Sequence, residues 1–168
     1  MKTLEIVGVN YFGRWTEQRT GCRAIVIRDG HILLSYETVT DQWMVPGGGL
    51  EPGEGEAACC VRETAEETGY LIEPSPCALE LDEYYEGCRY VDRYFFGTVT
   101  GRCERQLTDR EKAVGMEPRW LPVREALDIF SRHADYGDTD EERRGIYQRE
   151  YTALSELLRG STNIINKP

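Results

Sequence analysis

Three glutamates, Glu63, Glu66 and Glu67, fall close together in PGGGLEPGEGEAACCVRETAEETGY, the stretch from Pro46 to Tyr70. On a helix they lie within about 100° of one another, so three carboxylates would share one face. The opposite arc carries Ala57, Ala58, Val61, Thr64, Ala65 and Thr68. These are small residues, which lets that face lie close to another layer while the acids point toward the glycine-rich run before the helix. Like charges three and four residues apart repel by a few tenths of a kcal/mol, so a positive partner is expected. Three oxygen donors on a rigid scaffold suit a hard divalent cation, magnesium or manganese. Glutamates on a helix by themselves form a solvated face, and the residues around them decide between the two readings. Gly47, Gly48 and Gly49 let backbone groups approach a metal or phosphate because no Cβ intervenes. Arg62, beside the acids, is placed to pair with Glu54 and to hold that loop against the helix.

The flanking elements follow from periodicity and turn chemistry. Leu4 to Val9 reads as a first strand and Gly13 to Gly21 as a polar loop. Cys22 to Arg28 and His31 to Tyr36 flank Asp29-Gly30, the signal of a two-residue hairpin. Their continuous apolar runs predict strands covered on both faces. Trp43 to Pro46 reads as a short strand, and Glu56 to Thr68 as the helix, stopped by Gly69. Tyr70 to Glu73, Cys77 to Glu83, Arg89 to Thr98 and Arg119 to Leu121 read as extended, with Gly101 to Glu117 as a long loop. Pro122 opens a helix with the stripe Val123, Ala126, Leu127, Phe130. A last helix starts at a capping box of Thr139 and Glu142 and docks through Tyr147, Tyr151, Leu154 and Leu158. Strands mixed with helices before and after predict an α/β sandwich on a mixed sheet. The expected organisation is one domain over 1–160 with a flexible tail over 161–168.

In register, Gly48, Glu54, Arg62, Glu63, Glu66, Glu67 and Gly69 match G-x5-E-x7-R-E-U-x-E-E-x-G-U, where U is bulky and apolar. The segment resembles the signature of the Nudix hydrolases (MutT-like), and a chance match is on the order of 10⁻⁷ per register. Two positions depart from the pattern: Thr64 stands at the first U and the amphipathic Tyr70 at the second. The resemblance extends over roughly Cys22 to Phe130 and implies an α/β/α sandwich. It also implies metal-dependent hydrolysis of a nucleoside diphosphate linked to another moiety X, with water attacking phosphorus. Glu63, Glu66, Glu67 and the carbonyl of Gly47 would hold the metal, and Gly48, Glu54, Arg62 and Gly69 would shape the scaffold. Glu63 or a loop acid would take the proton from water. Glu117 is the first choice for that loop acid and Glu111 the second.

For the substrate, Arg14, Arg19 and Arg23 offer planar forks that match phosphate oxygens, and Tyr11, Phe12, Trp15, Tyr84 and Tyr85 offer stacking faces. A nucleoside triphosphate or a similar small nucleotide is preferred for a chain of 168 residues. Two other classes stay open: a non-catalytic Nudix-like module that senses a nucleotide or binds a protein, and a structural calcium-binding helix. A net charge of −10 disfavours nucleic-acid polymers. No stretch reaches the roughly 18 apolar residues of a membrane span, and the first ten residues lack a signal-peptide pattern. A cytoplasmic protein is therefore expected. The six cysteines form no C-x-x-C pair and read as small buried residues rather than metal ligands. The first strand and last helix either complete the body or form the seam of a homodimer.

Overall fold

The computed structural model describes residues 2–137 and 139–159, so the expected tail over 161–168 lies outside the described residues. Among the described residues, ten strands and four α-helices form two sheets with helices on both outer sides. The larger sheet takes β1 (Lys2–Val7), β8 (Leu79–Tyr85), β9 (Cys88–Arg102), β2 (Glu17–Ile25) and β6 (Gly47–Gly49) in that spatial order, with β7 (Tyr70–Pro74) paired to the far half of β9. β1 runs parallel to β8 and β2 parallel to β9; the other pairs in this sheet are antiparallel. The smaller sheet sets β10 (Met116–Pro122), β4 (His31–Glu37) and β3 (Ile27–Arg28) side by side, with β5 (Gln42–Met44) also on β4.

The sequence Ala24 to Ile27 explains how the two sheets join. β2 ends at Ile25 and β3 begins at Ile27, so the chain changes sheet across Val26 alone. Asp29 (φ 50°) and Gly30 (φ 74°) then make the left-handed turn that Asp-Gly favours. Residues of these strands are buried on both faces, as the apolar runs require. Ile25, Ile32 and Leu34 join one core with Tyr94, Phe130, Tyr147 and Leu154. Ala24, Val26 and Leu33 join a second with Cys59, Cys60 and Ile72. Helix α1 (Glu56–Thr68) covers the second core, while α3 (Val123–Ser131) and α4 (Glu141–Leu157) cover the first. The result is the expected α/β/α sandwich, with β1 and α4 both part of the body.

Four local expectations are corrected. The polar run before Cys22 is not all loop: β2 begins at Glu17 because backbone pairing with β9, from Glu17↔Cys88 onward, outweighs the polarity of its side chains. The stretch after Gly101 extends β9 to Arg102 and then contains α2 (Asp109–Ala113), closed by a capping box of Thr108 and Glu111. Helix α4 is capped one residue later than expected, by Asp140, whose side chain accepts from the Arg143 amide. Tyr151 stays 36% exposed rather than docking with Tyr147 and Leu154.

Candidate active site

Helix α1 presents the acids. It starts after Gly55, has Glu56 in its first turn where the helix dipole favours negative charge, and ends at Gly69, whose φ of 71° makes the left-handed cap. A Cβ at Gly69 would come within 2.9 Å of the Cys103 carbonyl, so the stop requires glycine. Cys59, Cys60, Thr64 and Thr68 face the core, whereas Ala57 and Ala58 are exposed; the buried arc is therefore rotated from the all-small arc read off the wheel. The departure at Thr64 is accommodated: its hydroxyl donates to the Cys60 carbonyl at 2.7 Å, so this buried oxygen is paired. Tyr70 keeps its ring buried while its hydroxyl accepts from Trp120 Nε1 at 2.8 Å.

Arg62 organises the acids. Its Nε and Nη2 donate to the two oxygens of Glu54 at 2.7 and 2.8 Å, a bidentate fork, and Nη2 also reaches the Gly49 carbonyl at 3.1 Å. Its Nη1 donates to Glu63 at 2.7 Å and to Glu66 at 3.2 Å. Hydrogen bonds from Arg62 hold the Glu54 carboxyl down at about 2. One guanidinium thus ties the loop to the helix and supplies the positive partner the glutamates demand.

The glycine run fits closely around these acids. Gly47, Gly48 and Gly49 form β6 against Arg23, Cys22 and Gly21 of β2. Gly47 has φ 151°, and a Cβ there would meet the Cys22 carbonyl at 2.2 Å. A Cβ on Gly48 would lie 2.4–2.7 Å from the Glu63 carboxylate. Behind them, Glu67 is 4% exposed and accepts from the Ser35 hydroxyl at 2.6 Å and the Gly47 amide at 3.3 Å. Burial pushes its carboxyl up to about 8, with the Ser35 hydrogen bond opposing and the nearby Glu63 and Glu111 adding to the rise. Burial likewise raises Glu63.

These groups open onto a cleft of about 530 Å³, lined by Glu63, Glu66, Glu67 and the three glycines on one side, and by Arg23, Arg110, Glu111 and Arg149 elsewhere. Among the described residues no group of three acidic, histidine or cysteine side chains is already drawn together as a metal cage, because Arg62 occupies Glu63 and Glu66. The donor set nevertheless fits a hard divalent cation. It is all oxygen, it includes the buried Glu67 carboxyl, whose hydrogen-bond partners are a hydroxyl and an amide, and at Gly47 and Gly48 the backbone leaves no room for a side chain.

The other sequence candidates divide. Arg23 lines the cleft, its Nε donating to Asp92 at 2.6 Å. Glu111 lines it from α2. Glu117 does not line the cleft: on β10 it takes hydrogen bonds from Arg119. Arg14 is exposed, Trp15 lies under the Arg89 guanidinium at 5.8 Å, and Tyr84 packs on Tyr11 with ring centroids 5.3 Å apart; none of these lines the cleft. Side chains alternate along β8, so Tyr84 points to the opposite face from Glu83 and Tyr85, which line a second cavity. Cys22, Cys59 and Cys60 are buried free thiols, but Cys103 is exposed.

Sequence reasoning missed a buried ionic network beside the cleft. Arg23 bonds Asp92; Glu150 accepts from Arg149 at 2.8 Å and from the Tyr94 hydroxyl at 3.0 Å; Arg149 also lies 3.8 Å from Glu83. Burial opposes ionisation of Asp92, yet Arg23 and Arg149 together hold its carboxyl below the ordinary value. Burial instead pushes Glu83 up to about 7. One signal was available: Glu150 falls three residues after Tyr147 and four before Leu154, on the buried stripe of α4.

The family model described as NUDIX domain matches residues 18–141. Diphosphoinositol polyphosphate phosphohydrolase 2 of Homo sapiens is 49% identical over 107 residues, which covers 62% of this chain and 56% of that protein. The chain thus spans less than two thirds of that relative. Among solved structures, a NUDIX hydrolase from Nitrosomonas europaea aligns with TM-score 0.55 and 25% identity over 65% of this chain and 75% of that one. The E. coli ORF135 protein shares the fold at TM-score 0.56 and 20% identity, covering 88% and 94%. With the glycine cradle, the arginine-tied acids and a family match over most of its length, the chain belongs to the Nudix family.

Proposed function

We propose that the chain, as a single domain over 1–160, is a metal-dependent pyrophosphohydrolase that cleaves a nucleoside diphosphate linked to another moiety by water attack on phosphorus. The observation that carries this reading is Glu67. A carboxyl buried at the back of a cleft, with only a hydroxyl and an amide as partners, is costly unless a cation arrives to ionise it. Glu63, Glu66, Glu67 and the Gly47 carbonyl would hold magnesium or manganese, which would neutralise pyrophosphate charge and activate water. Arg62 positions Glu63 and Glu66, and the Gly48 backbone leaves space for the Glu63 carboxylate. Arg23, fixed by Asp92 at the cleft, would offer its remaining guanidinium N–H groups to a phosphate oxygen. Glu111 is the loop acid favoured as proton acceptor, since it lines the cleft and Glu117 does not; Glu63 is the alternative.

A cytoplasmic setting fits buried thiols kept reduced, and no helix among the described residues is long and apolar enough to cross a membrane. Nucleoside triphosphates and related small nucleotides remain the preferred substrates. The curated relative is named for diphosphoinositol polyphosphates, which makes that class the natural comparison. The test is a panel of diphosphate compounds incubated with Mg²⁺ or Mn²⁺, with products identified by mass. Metal-dependent release of a phosphate or nucleoside monophosphate is the expected result. Intact compounds throughout, from a folded protein, would refute the activity.

A further inference from the structure

Beside the cleft lies a second cavity of about 730 Å³, bounded by the turn between β8 and β9, the first half of β2 and the first turns of α4. Glu142, Ile146 and Arg149 line both spaces, so one face of α4 separates them. A compound with its diphosphate in the cleft would extend its other half past this partition. The volume is in the range of small-molecule sites, roughly 300–1,000 Å³.

The lining is unsuited to a phosphorylated guest. Glu17, Glu83, Glu86, Glu141 and Glu142 face the cavity, and its cations are Arg19 and Arg149. Arg149 is already committed to Glu150 at 2.8 Å and lies 3.8 Å from Glu83. Nearby Arg144 donates to Glu141 at 2.7 Å. Tyr85 and Tyr90, with ring centroids 6.5 Å apart, add aromatic surface to the carboxylate acceptors. Carboxylates accept hydrogen bonds and aromatic faces attract cations, whereas both repel phosphate.

We propose that this cavity receives the part of the substrate beyond the diphosphate, admitting uncharged or cationic hydrogen-bond-donating groups, the nucleoside end of a triphosphate among them, and excluding groups that carry further phosphates. The inference rests on the hydrolase reading above, and it separates this chain from an inositol polyphosphate hydrolase.

Three compounds test it: a nucleoside diphosphate linked to glucose, one linked to choline, and diphosphoinositol pentakisphosphate. Each is measured with Mg²⁺ for kcat/KM and, by calorimetry, for Kd. The glucose and choline compounds are expected to exceed the inositol compound by about 100-fold in both quantities. The double variant Glu17→Lys, Glu86→Lys should narrow that gap to about tenfold by improving the inositol compound. Gly145→Leu should raise Kd for the glucose compound by about tenfold. A Cβ at Gly145 would meet Tyr85 only at an ordinary 3.6 Å, and the remaining leucine atoms would enter the cavity. Leucine is the better helix former, and circular dichroism would verify the fold. An inositol compound that binds as well as the others, or a Gly145→Leu protein with unchanged Kd, overturns the proposal. Binding in the stated order without hydrolysis would sink the enzymatic reading and leave the cavity's selectivity standing.

Discussion

The two walls of the cleft handle charge in opposite ways. The α1 wall gathers Glu54, Glu63, Glu66 and Glu67 around a single Arg62, leaving negative charge in excess and one carboxyl, Glu67, buried without a cation. The wall built by β2, β8, β9 and α4 interleaves Arg23 and Arg149 with Asp92, Glu150 and Glu83, so each acid there has an arginine within 4 Å. Both walls are desolvated, yet only the first is incomplete in itself. The lesson is that burial alone does not mark a site; uncompensated burial does.

The largest test of this contrast is Glu67→Gln. It is expected to lower metal-dependent turnover at least about a thousandfold while leaving thermal stability equal or higher, because an amide needs no counter-charge. Steady-state rates and a melting curve on the same sample check both halves. On the balanced wall the opposite should hold. Asp92→Asn strands Arg23 and should cost about 3 kcal/mol in urea denaturation.

Gly48→Ala comes next in size. Its methyl would push aside the Glu63 carboxylate, a side-chain end that can move, so about a 100-fold loss of kcat with a native melting profile is expected. An alanine variant with full activity would break the idea that the glycine is there for Glu63.

The smallest effect is on pH. Glu67 and Glu83 have folded pKa values raised to about 8 and about 7 from 4.5. A carboxyl raised on folding stabilises the protein while protonated, fully so below 4.5, and loses that contribution as pH climbs toward the folded value. The metal-free protein should therefore melt lower at pH 8 than at pH 5, from these groups, with Mg²⁺ reducing the slope. Glu67→Gln should flatten the upper part of the curve. A slope identical in the variant would assign the effect elsewhere.

Much of the α1 wall was legible because its chemistry is local. Gly48 through Gly69 lie within one turn-plus-helix unit, so spacing fixes which residues meet, including the Arg62–Glu54 pair. The balanced wall was not legible because its members come from β2, β8, β9 and α4, and only register brings Asp92 opposite Gly21 and beside Arg23. Helix α2 was overlooked although Thr108 and Glu111 spell a capping box, since five residues are too short for periodicity to show. Glu117 illustrates the reverse error: nearness to Trp120 in sequence gave no information about the side of β10 on which its carboxylate falls.

Strand β9 links the site's two ends. Its fifteen residues run from the rim of the second cavity at Cys88, through Asp92, to Arg102, and the next amide, Cys103, donates to the carbonyl of Gly69 at 2.9 Å. It serves as the keel of the larger sheet, pairing with β2, β7 and β8. A circularly permuted chain opened at the turn around Val39, which is 72% exposed, should therefore keep its architecture, whereas one opened anywhere along this keel should lose cavity, ionic network and helix stop together.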